Sequence, residues 1–220
     1  MERYSNCMYK DVCDYETSCR PGCMRYDITQ YMLKQSNIPK SKWGVNKLIP
    51  DDCDVEAFIK LADIKDNIVD FVEGGKNLYL YSSTCGNGKT TWSIKLMLQY
   101  FNETWDYTGY NARGIFINVP TFLYNCKACI NKPDCDFETL KKMLFKVDLV
   151  IWDDIASTER MSDYDYNILL AFIDKRTLEQ KSNIYTSNIE PNDLIKYTGS
   201  KLSSRILQGT QIHLFGKDRR

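Results

Sequence analysis

The sequence predicts an α/β fold: a parallel sheet with helices on both faces, preceded by a small N-terminal cysteine-rich module. Three observations predict it. Short apolar strand patterns alternate with helical ones from about residue 51 onward, and such alternation builds parallel sheets covered on both faces. A glycine loop, Cys85-Gly86-Asn87-Gly88-Lys89-Thr90, joins the first strand pattern to the helix after it. Cys7, Cys13, Cys19 and Cys23 crowd together ahead of Pro50, where the composition changes. The expected division is therefore a cysteine-rich module over residues 1–50 and an α/β domain over residues 51–220, sizes that a chain of 220 residues accommodates.

Each element follows in order. Val55, Phe58, Ile59, Ala62, Ile64, Ile68, Val69 and Val72 fall largely on one helical stripe, predicting a helix over 54–72 that ends at Gly74-Gly75. Asn77 to Ser82 is a short apolar and aromatic strand, and the glycine loop follows at once. Thr91 to Tyr100 reads as helix, Gly114 to Val119 as a second strand, and Phe137 to Lys146 as helix. Val147 to Trp152 is a third strand, apolar enough to be buried on both faces. A long helix over 163–180 leads to a fourth strand, Asn183 to Asn188. Two short helices, Pro191 to Lys196 and Ser200 to Leu207, precede a last strand, Gln211 to Phe215.

Charge and composition limit the functions available. Lys+Arg and Asp+Glu both number 29, so no net field draws the chain to nucleic acid, and any such contact must come from a local patch. No apolar stretch is long enough to span a bilayer, and Met1 to Cys7 lacks the apolar core of a signal peptide. The expectation is a cytoplasmic protein with no membrane partner. In that reducing compartment the nine cysteines read as metal ligands where clustered and as small buried residues where scattered.

The glycine loop has the chemistry of a phosphate site. Backbone N–H groups in a tight turn and at a helix N-terminus meet anionic oxygens, and Gly86 and Gly88 permit conformations closed to residues with a Cβ. Lys89 would reach the β- and γ-phosphates of ATP, and the Thr90 hydroxyl would ligate Mg²⁺. The full P-loop pattern asks for glycine where Ser83 stands, which leaves the start of the loop open. The expected nucleotide contacts run from Ser83 and Thr84 through Cys85, Gly86, Asn87, Gly88, Lys89 and Thr90 to Thr91.

The third strand ends in Trp152-Asp153-Asp154, the form of a Walker B segment. Ligands of a parallel sheet gather at the carboxyl ends of its strands, so both carboxylates should emerge beside the loop. Asp153 would hold Mg²⁺, and Asp154 would orient or deprotonate the attacking water. Asn188, closing the fourth strand, reads either as a holder of that water or as a turn residue.

These residues, with Ser204-Arg205-Ile206 and Asp218-Arg219-Arg220 in order after them, resemble the DnaC/DnaI-type helicase loaders, which are AAA+ ATPases. The resemblance runs from about Asp54 to Arg220 and implies an AAA+ P-loop fold. It implies that Asn188 is similar to sensor 1, Arg205 to the arginine finger, and Arg220, or its neighbour Arg219, to the sensor 2 arginine. The implied activity is ATP hydrolysis stimulated by assembly into an AAA+ oligomer or by DNA, and the implied partners are a hexameric replicative helicase and single-stranded DNA. The residues also suit an IstB-like transposition regulator, or a nucleotide-dependent interaction module with little hydrolysis. Arg205 taken alone reads equally as a surface arginine at a helix C-terminus.

Two further groups stay open. In Pro120 to Lys132, Phe122 and Tyr124 could stack bases while Lys127 and Lys132 meet phosphates, or the segment is an amphipathic helix packing its aromatics on the sheet. Cys7, Cys13, Cys19 and Cys23, with gaps of five, five and three residues, suit a tetrahedral zinc site, with unligated or iron–sulfur cysteines as alternatives. Cys126, Cys129 and Cys135 make only three of a four-ligand set, and His213 reads as a core or edge residue.

Overall fold

The computed structural model describes residues 22–43, 48–129, 137–156 and 159–218. Cys7, Cys13, Cys19, Lys132, Cys135, Arg219 and Arg220 lie outside the described residues. Of the four cysteines expected to bind zinc, only Cys23 is described, as a free thiol. Among the described residues no group of three or more His, Cys, Asp or Glu could hold a metal ion.

Five strands form one parallel sheet: β1 (Asn77–Tyr81), β2 (Gly114–Asn118), β3 (Leu149–Asp153), β4 (Ser182–Ser187) and β5 (Thr210–His213). Their spatial order is β2-β3-β4-β1-β5. Helices cover both faces, as the alternation of patterns predicts. Because successive strand residues point to opposite faces, Leu78 and Leu80 enter one core while Tyr79 enters the other. The first core takes side chains of α1 (Met24–Gln35), α2 (Val55–Asp66), α3 (Ile68–Glu73) and α4 (Lys89–Thr108). The second takes those of α5 (Val119–Ala128), α6 (Phe137–Lys146), α7 (Asp163–Leu178), α8 (Pro191–Thr198) and α9 (Ser200–Ile206). No helix among the described residues is long and apolar enough to cross a membrane.

The single helix expected over 54–72 is two helices. At Asn67 the backbone leaves the helical region, with φ −112° and ψ 32°, and the Asn67 amide donates to the Asp63 carbonyl. Asparagine competes in this way with the helix ladder. Helix α4 runs further than expected, to Thr108, because Phe101, Thr104 and Thr108 continue its buried stripe.

Helix α1 falls in the segment expected to be a separate module, yet Ile28, Met32, Leu33 and Ile38 belong to the same core as α4 and the sheet. The Phe116 N–H of edge strand β2 donates to the Ser36 carbonyl at 2.7 Å. The described part of residues 1–50 therefore packs as part of the α/β body. At the other end, buried Asp54 accepts the N–H groups of Phe215 (2.6 Å) and Gly216 (2.9 Å), tying the chain beyond β5 to the start of α2.

Two contacts between residues distant in sequence fix one end of the sheet. Gly75, at φ +62°, lies so near the Gln180 carbonyl that a Cβ would sit 2.5 Å from its oxygen. Arg176 of α7 is fully buried and donates to the carbonyls of Leu144, Val147, Asp148 and Ser182 and to Asn183 Oδ1. It gathers the end of α6 and the starts of β3 and β4 around one cation.

Candidate nucleotide site

Strand β1 ends at Tyr81, and the loop over 82–88 turns into α4 at Lys89. Gly86 (φ 73°) and Gly88 (φ 103°) adopt left-handed conformations, which glycine enters without steric cost. Ser83, standing where the pattern asks for glycine, has no positive φ. The backbone there therefore does not demand glycine. The Thr84 N–H donates to Ser82 Oγ at 3.1 Å, and the buried Asn87 amide donates to the Leu214 carbonyl at 3.1 Å. These bonds hold the loop from both sides.

Lys89 is largely buried, and its ammonium donates to Thr84 O (2.8 Å), Asn87 Oδ1 (3.2 Å) and Ser82 O (3.4 Å). Thr90 Oγ1 donates to Asp153 Oδ1 at 2.7 Å, bringing the loop and the end of β3 into direct contact. Thr186 of β4 lies between β1 and β3 in the sheet and donates to the same oxygen at 2.8 Å. Its hydroxyl also accepts the Asp154 N–H at 3.0 Å. Asp154 itself holds φ 58°, an unusual conformation for a residue with a side chain, and one that gathers at functional sites.

These elements enclose a cavity of about 430 Å³ walled by Cys85 through Thr91, Asp153, Asp154, Asn188, Asn118, Thr186, Ser187 and Lys42. Of the residues expected to contact nucleotide, the structure brings together Cys85 to Thr91 and Asp153, with Asp154 and Asn188 beside them. Ser83 and Thr84 shape the start of the loop but do not wall the cavity. Arg205 is not brought to it. Its Nε donates to Asp174 Oδ1 at 2.8 Å, pinning it to α7.

Burial and the adjacent Asp153 push the Asp154 carboxyl above its usual range, with Lys89 partly opposing them. An acid raised by folding carries a penalty above its folded pKa, and that penalty is lifted as pH falls through it. Asp154→Asn should therefore raise the melting temperature near pH 7, and the gain should vanish toward about pH 4, near the ordinary carboxylate range. Asparagine also tolerates the left-handed backbone. A thermal unfolding series over that pH range checks this; a lower melting temperature at neutral pH would contradict it.

The segment after β2 is an amphipathic helix. Phe122 is buried and packs edge-on to Trp152 and Phe172, so it cannot stack a base. Lys127 pairs with Asp165 at 2.7 Å, and Tyr124 is 72% exposed. His213 lies on edge strand β5, stacked on Tyr81 with ring centroids 4.6 Å apart. Sequence reasoning missed Thr186, Asn118 and Lys42. Thr186 was detectable as a polar residue near the end of a buried strand beside the acidic pair. Lys42 was not, because only the packing of α1 brings it over the loop.

No family model matches the chain, and no curated protein matches it. Solved structures do match its fold. The crystal structure of the DnaC helicase loader aligns with TM-score 0.66 at 20% identity, covering 80% of this chain and 99% of that one. The crystal structure of DnaI aligns with TM-score 0.60 at 20% identity, covering 84% of this chain and 95% of that one. The replication initiator DnaA bound to AMPPCP and single-stranded DNA aligns with TM-score 0.59 at 18% identity, covering 77% of this chain and 48% of that one. At these identities the likeness shows the fold alone.

Proposed function

We propose that this chain is a Mg-ATP-dependent helicase loader, which hydrolyses ATP when assembled and delivers a hexameric replicative helicase to single-stranded DNA. The observation that carries the nucleotide site is the Thr90–Asp153 contact beside Lys89. A hydroxyl and a carboxylate held 2.7 Å apart at the mouth of a phosphate loop are the donor set expected for Mg²⁺. Mg²⁺ bound there would neutralise phosphate charge. The neutral oxygens around Lys89 hold its ammonium less strongly than phosphate oxygens would, so nucleotide can draw it outward.

Asp154, raised in pKa and held at the cavity by Thr186, is suited to orient water and take up its proton. Asn188 adds an amide that can fix the same water. Arg205, pinned to α7 outside the cavity walls, suits a finger offered to a neighbouring subunit. The loader reading is supported by the order of the motifs and by the likeness to DnaC over nearly the whole of that chain.

Arg205→Ala tests the assembly step. Nucleotide affinity should stay at the wild-type level, while hydrolysis stimulated by single-stranded DNA or helicase falls about 10³-fold, the usual value of such a finger. Its pair with Asp174 is partly exposed and adds little stability. Turnover of the variant under stimulating conditions, measured against the wild type, decides; unchanged stimulated turnover would remove the finger. Co-purification with the host replicative helicase that depends on ATP would support the loader, and capture of a transposase instead would point to the IstB-like role.

A further inference from the structure

Lys42 walls the nucleotide cavity, although it belongs to the N-terminal segment and to none of the sequence motifs. Its position is held by a chain of bonds. Trp43 Nε1 donates to Ile38 O at 2.9 Å, the Lys42 N–H donates to Pro39 O at 2.8 Å, and the Ile38 N–H donates to Ser36 Oγ at 3.3 Å. Ser36 is in turn bonded to edge strand β2 through Phe116. A few residues on, the Leu48 side chain comes 3.6 Å from where a Cβ on Gly88 would stand. The described parts of the N-terminal segment thus reach the loop at two points, Lys42 and Leu48.

The ammonium of Lys42 differs from that of Lys89. Three oxygens hold the Lys89 ammonium, whereas no hydrogen bond or ion pair occupies that of Lys42 among the described residues. Charge balance gives it a role. The other charged side chains of the cavity are Lys89, Asp153 and Asp154, one cation against two anions. For a triphosphate such a site leans almost wholly on the metal ion, and a second lysine brings the wall to neutrality.

We propose that Lys42 is a second phosphate-binding cation, through which nucleotide occupancy is transmitted to the N-terminal segment. The inference rests on the nucleotide reading of the cavity. A phosphate contact made by Lys42 is a contact made by the segment that carries it, so nucleotide stabilises the docked path of residues 36–43. By reciprocity, anything that pulls on that segment changes nucleotide affinity by the same factor.

The test uses the full chain and titration calorimetry with Mg-ATP. Lys42→Ala and Lys42→Gln should each weaken binding about tenfold, the loss of one charge-assisted contact, and Lys42→Arg should restore most of it. Hydrogen exchange gives a second readout: Mg-ATP should protect the amides of residues 36–43 in the wild type and not in Lys42→Ala. Unchanged melting temperatures confirm that each variant folds. Lys89→Ala separates the two ideas. If Lys42→Ala binds as the wild type while Lys89→Ala loses binding, the Lys42 inference is overturned and the nucleotide site stands. If Lys89→Ala also binds as the wild type, the nucleotide reading falls, and the inference with it.

Discussion

With the cavity read as a nucleotide site, Lys89→Ala is expected to weaken Mg-ATP binding by about 100-fold and to remove hydrolysis, while the protein stays folded. The size follows from charge. A lysine placed among phosphate oxygens makes charge-assisted hydrogen bonds of about 1.5–3 kcal/mol, and each 1.4 kcal/mol is a factor of about ten in affinity. In a cavity with two carboxylates, losing one of the two lysines also turns the walls net negative. Folding suffers less. Lys89 donates to Thr84 O, Asn87 Oδ1 and Ser82 O, and water entering the shortened site can take over these acceptors at the open mouth of the loop. Calorimetry with Mg-ATP and a melting curve on the same sample check both halves. Wild-type affinity in a folded Lys89→Ala protein would sink the phosphate-loop assignment.

Arg176→Met is expected to destabilise the domain by about 3–5 kcal/mol, the range for breaking a buried charged network. The arginine is fully buried and makes five hydrogen bonds, four of them to main-chain carbonyls from two separate stretches of chain, residues 144–148 and Ser182. Burial pulls its guanidinium down to about 10, still protonated at neutral pH. Methionine fills similar space and removes the side-chain donor from each carbonyl, a buried acceptor left unpaired costing about 1–3 kcal/mol before relaxation, although the Asp148 carbonyl keeps the Ser182 N–H. Lysine does not rescue the site, because a point ammonium cannot reach acceptors on both sides of a planar fork. Urea denaturation, read as a shift of midpoint at constant slope, gives the value. A loss under about 1 kcal/mol would mean that the carbonyls find other partners, and that Arg176 is not the hub that the geometry indicates.

What the sequence disclosed, and what it hid, divides by range. The glycine loop, the Asp153-Asp154 pair beside it and the five strands were legible because their signals are local: glycine at fixed offsets, carboxylates after an apolar run, strand patterns between helical ones. The parallel sheet followed from their alternation. Arg176 was illegible because its value lies in carbonyls distant along the chain, and a helix read by its apolar stripe treats an arginine as solvent-facing. Lys42 was missed for the same reason, since only the docking of α1 brings it to the cavity. Phe122 was ambiguous in sequence, because an aromatic in an amphipathic helix suits a core and a base equally. The break at Asn67 was a local signal passed over: an asparagine inside a periodic stripe marks where the ladder is contested.

The order of the strands has a consequence for synthesis. Strand β1 is made first, but its neighbours in the sheet are β4 and β5, the last two made. While the ribosome is still producing residues 149–178, β1 and the apolar side chains of Leu78, Tyr79 and Leu80 have no native partner strand. Strand β1 must wait until residues 182–213 have been made, a slow closure that leaves apolar surface open to aggregation. Asp54 extends the same wait, since the backbone it binds at Phe215 and Gly216 emerges only after β5.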